Sequence, residues 1–422
     1  MPPPTIAQAS CAEDYDPNSM PVDKARAFIH QCLEPVSTTL RVPIRSALGR
    51  VLAEDVMSPV DVPSHRNSAM DGWAVRGADL ATDGETTLQE IGVSFAGRPF
   101  GGPVAAGQCV RIMTGGVVPE GADTVVMQER AKANGKAVTF APGQKPGQNV
   151  RHAGEDLARG SVALPKGRMV RPAELGLIAS LGIGEVSVYR PLRVAFFSTG
   201  DELKSIGSTL GEGEIYDSNR YTIHGMLSRL GCEVLDMGVV ADDPALLEHA
   251  FREAAANADV VITSGGVSVG EADFVKTLLN KLGEVVFWKI AMKPGRPLAY
   301  GRIGAAHFFG LPGNPVSVMA TFYQFVRDAL LRLMGTSPVP PAFTFQARCT
   351  HKLKKAPGRT EFQRGVLSRE PDGTLAVRAT GEQGSGILKS MSDANCFIIL
   401  GDAVGNVEPG TMVEVQLLEG IV

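Results

Sequence analysis

Residues 260–274 read VVITSGGVSVGEADF, and this stretch decides the fold. The apolar run Val260, Val261, Ile262 gives way to paired glycines, Gly265 and Gly266, among the small hydroxyl residues Thr263, Ser264 and Ser268. It ends on two carboxylates, Glu271 and Asp273. That order describes a buried strand, a turn whose backbone can approach an anion closely, and a helix start whose free N–H groups favour negative charge. The adjoining acids suit a hard divalent cation such as Mg²⁺. The same construction occurs at 193–202, where RVAFF runs into Ser198, Thr199, Gly200, Asp201 and Glu202. Ligands of open parallel sheets collect beyond the carboxyl ends of the strands, so both loops are expected to face one crevice. A glycine that only turns the chain and an acid that only caps a helix would explain either loop singly. The pairing points to a site.

Outward from these loops the pattern alternates. Strands are expected at 193–198, 233–239, 259–263, 284–288, 297–301 and 306–310, with helices at 217–230, 243–257, 271–282 and 315–334. Such alternation predicts an α/β domain, at 191–335, built on a mainly parallel sheet covered on both faces. Asp242 and Asp243 precede Pro244 where a strand hands over to a helix, the position of a cap followed by a first-turn proline. Lys289, Lys293 and Arg296 lie in WKIAMKPGRP (288–297), where bends at Pro294 and Gly295 can converge them on an oxyanion; a solvated edge is the alternative. In LPGNPVS (311–317), Pro312 and Pro315 flank Gly313 and Asn314 and free N–H groups at a helix start, although a purely structural turn explains the motif equally well.

The flanks differ in texture. Residues 1–20 are proline-rich and acidic and read as a disordered tail without a signal pattern. A helix from about Pro21, with Val22, Ala25, Phe28, Ile29 and Cys32 at helical spacing, opens a discontinuous N-terminal domain at 21–54 and 148–190. Short β-like runs divided by Gly and Pro mark an inserted β-rich domain at 55–147. A stiff linker, 336–343, leads to alternating strands at 343–349, 360–367, 374–379, 396–400 and 412–417, read as a small C-terminal β-barrel at 341–422. The fold class is therefore α/β plus β, multidomain.

A chain of 422 residues exceeds what one core supports, which demands several domains. A net charge of −4 and a pI near 6.0 exclude a nucleic-acid footprint. No apolar run is long enough to span a bilayer, so a cytoplasmic location is expected. The six cysteines show no CxxC spacing and the histidines no HExxH, so neither a disulfide framework nor zinc is indicated. SAMDGWA (68–74), IMTGG (112–116) and GED (154–156) read individually as turns.

Taken together and in order, SAMDGWA, IMTGG, GED, STGDE, YDSN, DDP, SGGVSVGEADF, WKIAMKPGRP, LPGNPVS, EFQRG and GEQGS make the chain resemble the molybdopterin molybdenumtransferases, a family that includes the E-domain of gephyrin. The likeness runs from about Pro21 to the C-terminus. It implies a homodimer of elongated four-domain subunits with each active site between subunits. The reaction it implies takes adenylylated molybdopterin and molybdate, hydrolyses the adenylate with Mg²⁺ as cofactor, places molybdenum on the dithiolene and releases AMP. The resemblance carries catalytic roles to Asp71, Thr114, Asp156, Glu202, Asp242 and Asp273, the metal falling to Glu202, Asp242 and Asp273. Substrate contacts fall to Ser264, Gly265, Gly266, Ser268, Lys289, Lys293, Pro312, Pro315, Arg364 and Ser385. Transient contact with a molybdopterin adenylyltransferase is expected, with no nucleic acid or membrane partner. Trp73 stands where the family often has tyrosine, and Arg296 where lysine is common. The competing readings are a molybdopterin-binding scaffold without turnover and the adenylyltransferase itself, which lacks the flanking domains.

Overall fold

The computed structural model describes residues 20–266 and 273–418. The expected tail lies outside them except for Met20, which is buried and bridges Ile290. The central sheet has six strands in the order Glu233–Val240, Arg193–Thr199, Val260–Ser264, Ala306–Leu311, Pro297–Ile303 and Gly283–Lys289. Its first four strands are parallel. Residues of Arg193–Thr199 alternate between two apolar layers: Val194 and Phe196 pack with Ile223 and Leu227, whereas Ala195 and Phe197 pack with Leu247, Phe251 and Leu279. Both faces are covered, which is why this strand shows a continuous apolar run.

The sheet is mixed rather than parallel throughout. Strands Pro297–Ile303 and Ala306–Leu311 run antiparallel, and so do Gly283–Lys289 and Pro297–Ile303. Only Gly304 and Ala305 separate Ile303 from Ala306, with Gly304 at φ +58°. Two residues close a hairpin and cannot carry the crossover that parallel strands require. The expected helix 315–334 consists of α-helix Pro315–Thr321, a π-turn Phe322–Val326 and α-helix Arg327–Leu333.

Helix Val22–Gln31 turns Val22, Ala25, Phe28 and Ile29 inward, with Phe28 edge-on to Trp288 at 5.0 Å. It packs on the α/β layer, not on helix Pro172–Ser180, whose Ile178 belongs to a separate core with Leu52, Val170 and Val188. Strand Thr39–Pro43 pairs with Glu185–Tyr189, so the chain before and after the β-rich insertion does meet. That insertion forms a six-stranded sheet. At the C-terminus, strands Thr360–Arg369, Leu375–Ala379, Thr344–Cys349, Met412–Leu417 and Cys396–Leu400 close on themselves as a barrel. Burial pushes the Cys396 thiol inside it up to about 12, in keeping with a packing role.

Under the sheet, His307 is 5% exposed, with Nδ1 3.4 Å from the Tyr300 hydroxyl and Nε2 3.4 Å from the Arg302 guanidinium. Arginine can only donate, so Nε2 holds the lone pair and the proton sits on Nδ1. Burial, reinforced by Arg302, lowers the His307 pKa to about 4. A histidine depressed in the folded state stabilises fully above its unfolded value near 6.5, and that contribution is lost as pH falls toward the folded value. Between pH 6.5 and 4 the protein should lose about 3 kcal/mol from this group. Denaturant titrations across that window should show the slope, and His307→Gln should flatten it.

Candidate functional site

The four parallel strands end in register. Thr199 lies opposite Val240, Ser198 opposite Ser264, and Ser264 opposite Leu311. The loops at 200–202, 241–243, 265–266 and 312–315 therefore share one rim. They open on a cavity of about 600 Å³ lined by Thr199, Gly200, Glu202, Asp242, Gly265 and Pro315 among others. Ser264 and Gly266 line it too. The crevice expected from the strand pattern is present. Ser268 and the Asp273 side chain lie outside the described residues.

Each loop has a local cause. Gly265 and Gly266 stand at φ +92° and +68°, in the left-handed region open to glycine. A Cβ on Gly265 would lie 2.4 Å from the Thr199 carbonyl oxygen, so the turn also depends on close approach to the neighbouring strand. Gly265→Ala should therefore destabilise the protein by about 2–5 kcal/mol, strain and overlap combined, whereas Gly97→Ala should lose only about 1–3 kcal/mol. Gly97 has a similar φ of +75° but nothing within 4 Å of its notional Cβ. Chemical denaturation of the two variants checks the contrast.

Glu202 arches back over Gly200, where an added Cβ would stand 2.6 Å from its Oε2. The short parallel strands Leu203–Lys204 and Ile215–Tyr216 then draw the YDSN segment to the same rim, with Ile215 N–H donating to the Glu202 carbonyl at 2.8 Å. The Asp242 N–H points at Asp201 Oδ1, 3.3 Å away, bringing the third acidic loop inward. Asp217, 2% exposed, caps helix Ser218–Arg229 by accepting from the Arg220 N–H at 3.1 Å. Asp217 Oδ2, Asn219 Oδ1 and Thr199 Oγ1 are buried without partners among the described residues. Each such atom costs about 1–3 kcal/mol, so their gathering at one cavity demands an explanation. In the sequence this part of the site is marked only by YDSN, one of the motifs that carry the family resemblance.

The C-terminal barrel supplies a wall, through Gly386 and Leu388. Arg364 does not reach the cavity. It is 1% exposed and donates to the carbonyls of Gln383 and Gly384 at 3.3 and 2.9 Å and to Ser390 Oγ at 3.0 Å. Its place is to hold the loop that carries Ser385. Ser385 in turn accepts from the Val316 N–H at 3.1 Å. This narrows the helix start expected in LPGNPVS: Pro315 has no N–H and that of Val316 is taken, while Gly313, Asn314 and Pro315 line the cavity. Pro312 is buried at the strand end, its carbonyl 3.4 Å from Ser264 Oγ.

Lys289 ends the strand Gly283–Lys289, which points the same way as the parallel four but stands two strands past Ala306–Leu311, about 10 Å along the sheet at the usual strand spacing. Neither it nor Lys293 lines the cavity; Lys293 pairs at 3.4 Å with the buried Glu361 of the barrel. The cations thus sit on the same edge beyond the acids.

Asp71, Thr114 and Asp156 belong to another surface of the chain. Asp71 Oδ1 accepts from both the N–H and the hydroxyl of Thr114, at 2.7 and 2.8 Å, and these bonds, the backbone one foremost, hold its carboxyl below the usual range. Strand Val150–Arg151 pairs with Asn67–Ser68, and the Asp156 N–H donates to the Val62 carbonyl at 3.0 Å. SAMDGWA, IMTGG and the loop of GED are thus drawn toward one exposed face, apart from the cavity.

Both surfaces lie in parts of the chain that match known proteins. The MoeA N-terminal region (domain I and II) matches residues 20–182, a probable molybdopterin binding domain matches 195–332, and the MoeA C-terminal region (domain IV) matches 346–418. The molybdopterin molybdenumtransferase of Haemophilus influenzae is 46% identical over 396 residues, covering 94% of this chain and 98% of that protein. That of Bacillus subtilis is 34% identical, covering 94% of each. The crystal structure of the molybdopterin biosynthesis moeA protein from Pyrococcus horikoshii OT3 superimposes with a TM-score of 0.81 at 29% identity, over 94% of this chain and all of that one. The acid-rimmed cavity falls inside the part matched as molybdopterin-binding, the wall and the exposed Asp71 face fall in the flanking parts, and the whole chain belongs to the molybdopterin molybdenumtransferase family.

Proposed function

We propose that this transferase of molybdenum cofactor biosynthesis takes adenylylated molybdopterin and molybdate, splits the adenylate in a Mg²⁺-dependent step, and leaves molybdenum on the dithiolene with release of AMP. The observation that carries the reading is the juxtaposition of Glu202 and Asp242 with the Gly265–Gly266 turn at one cavity. Mg²⁺ fits this donor set. The acids there offer only oxygen, and among the described residues no three metal-binding side chains gather into a cage. An ion that keeps waters and takes phosphate oxygens wants one or two carboxylates and no cage. Bound there, it supplies neutralisation of the charge that develops on the phosphoanhydride oxygens.

Glu202 and Asp242 hold the metal, with Asp273 as third candidate. The Gly265–Gly266 backbone lets phosphate approach without side-chain interference. Lys289 and Ser385 contact the molybdate, a dianion that needs fixed donors and positive charge, while Arg364 shapes the loop and Lys293 is anchored by Glu361. In a homodimer, Asp71, Thr114 and Asp156 of one subunit complete the cavity of the other. A molybdopterin adenylyltransferase delivers the adenylate by transient contact. The test mixes the purified protein with Mg²⁺, adenylylated molybdopterin and molybdate and follows AMP and molybdenum-loaded cofactor. AMP formation that needs neither Mg²⁺ nor molybdate would overturn the reading.

A further inference from the structure

Asn219 sits at the cavity floor and has no part in the mechanism above. It is 7% exposed, and its Nδ2 donates to Ser264 Oγ at 2.8 Å and to the Gly313 carbonyl at 2.6 Å. Ser264 Oγ in turn lies 3.4 Å from the Pro312 carbonyl. One amide therefore ties the turn after Val260–Ser264 to the turn after Ala306–Leu311. The ladder between these strands ends at the Gly265 N–H to Leu311 carbonyl bond, 3.2 Å long, and beyond it no backbone hydrogen bond joins the two turns among the described residues. The width of the gap there depends on the amide.

The arrangement favours geometry over stability. Asn219 Oδ1 has no donor, and Asp217 Oδ2 and Thr199 Oγ1 beside the same cavity are likewise unpartnered among the described residues. A buried amide with half its capacity unmet is a poor stabiliser but a rigid spacer, because both of its contacts are fixed in direction. We infer that Asn219 is a positioning residue: its amide sets the separation of the 264–266 and 312–315 turns and so aligns the scissile phosphoanhydride with Glu202 and Asp242. The inference rests on the function proposed above.

The experiment measures steady-state AMP release from adenylylated molybdopterin, with molybdate and Mg²⁺, alongside thermal melting of the same preparations. Asn219→Ala should lower kcat roughly ten- to a hundredfold while KM stays within about threefold, since misplacement of reacting groups acts on turnover. Its melting temperature should stay within about 3 °C of the parent, because an orphaned acceptor leaves with the lost donor. Asn219→Ser, which keeps one short donor, should recover part of kcat. Adding Ser264→Ala to Asn219→Ala should slow the enzyme less than the product of the two single effects, as expected of groups acting as a unit. The inference is overturned if kcat per folded molecule is unchanged, if only KM rises, or if both Asn219 variants fail to fold. A parent protein that releases no AMP overturns the functional reading itself, a result distinct from an active parent with unaffected variants.

Discussion

Glu202→Ala should leave the chain folded and reduce Mg²⁺-dependent AMP release by a factor on the order of 10³. Glu202 is exposed at the cavity mouth, its carboxylate folded back over Gly200. Truncating a solvated side chain of this kind changes stability by about 0.5 kcal/mol or less. Catalytically the loss is different in kind. Cleaving a phosphoanhydride places new negative charge on oxygens beside a rim already carrying Asp242 and Asp217, and like charges that close disfavour one another. A cation must offset them, and Glu202 is positioned to hold it because Gly200, at φ +145°, bends the chain back at the strand end. Glu202→Gln keeps the shape and removes the charge, so it should resemble Glu202→Ala in activity. Unaltered turnover in either variant, at the same Mg²⁺ concentration, would remove Glu202 from the metal assignment.

The rim was legible because its causes are local. Strand Arg193–Thr199 and strand Val260–Ser264 are buried along nearly their whole length, so their sequences are continuous apolar runs, and a run that breaks at Gly200 or Gly265 marks where the backbone must turn. The barrel was legible for the same reason, since its strands alternate. What depended on distant partners was not. Nothing local to Val22, Ala25 and Phe28 says that their stripe belongs on Trp288 rather than on the helix Pro172–Ser180. Arg364 was carried to the substrate by the resemblance alone, and nothing local in EFQRG marks its burial; only the barrel's closure puts carbonyls of 383–384 around it. Asn219 was hidden in a cap motif, and its two acceptors are 45 and 94 residues away in the chain.

Asp71 and Glu202 belong to one reaction in the proposed dimer but to different faces of a single chain, and this makes a sharp expectation. Each of Asp71→Ala and Glu202→Ala should be inactive alone. Unfolded together, mixed in equal amounts and refolded, they should regain about a quarter of the parent activity. Half of the dimers so formed are mixed, and each mixed dimer has one site with both residues replaced and one with both intact. If Asp71 served the cavity of its own subunit, every site in the mixture would carry one replacement and activity would stay at the level of the single variants. The Asp71→Ala change is safe for the fold, because Asp71 is exposed and its acceptor role toward Thr114 is solvated. Light scattering on the same samples reports the assembly: dimers that form but show no recovery would place Asp71 within its own subunit's site, whereas an Asp71→Ala protein that is active alone would place Asp71 outside the reaction, and the exposed face at Ser68, Asp71 and Thr114 would then need another partner.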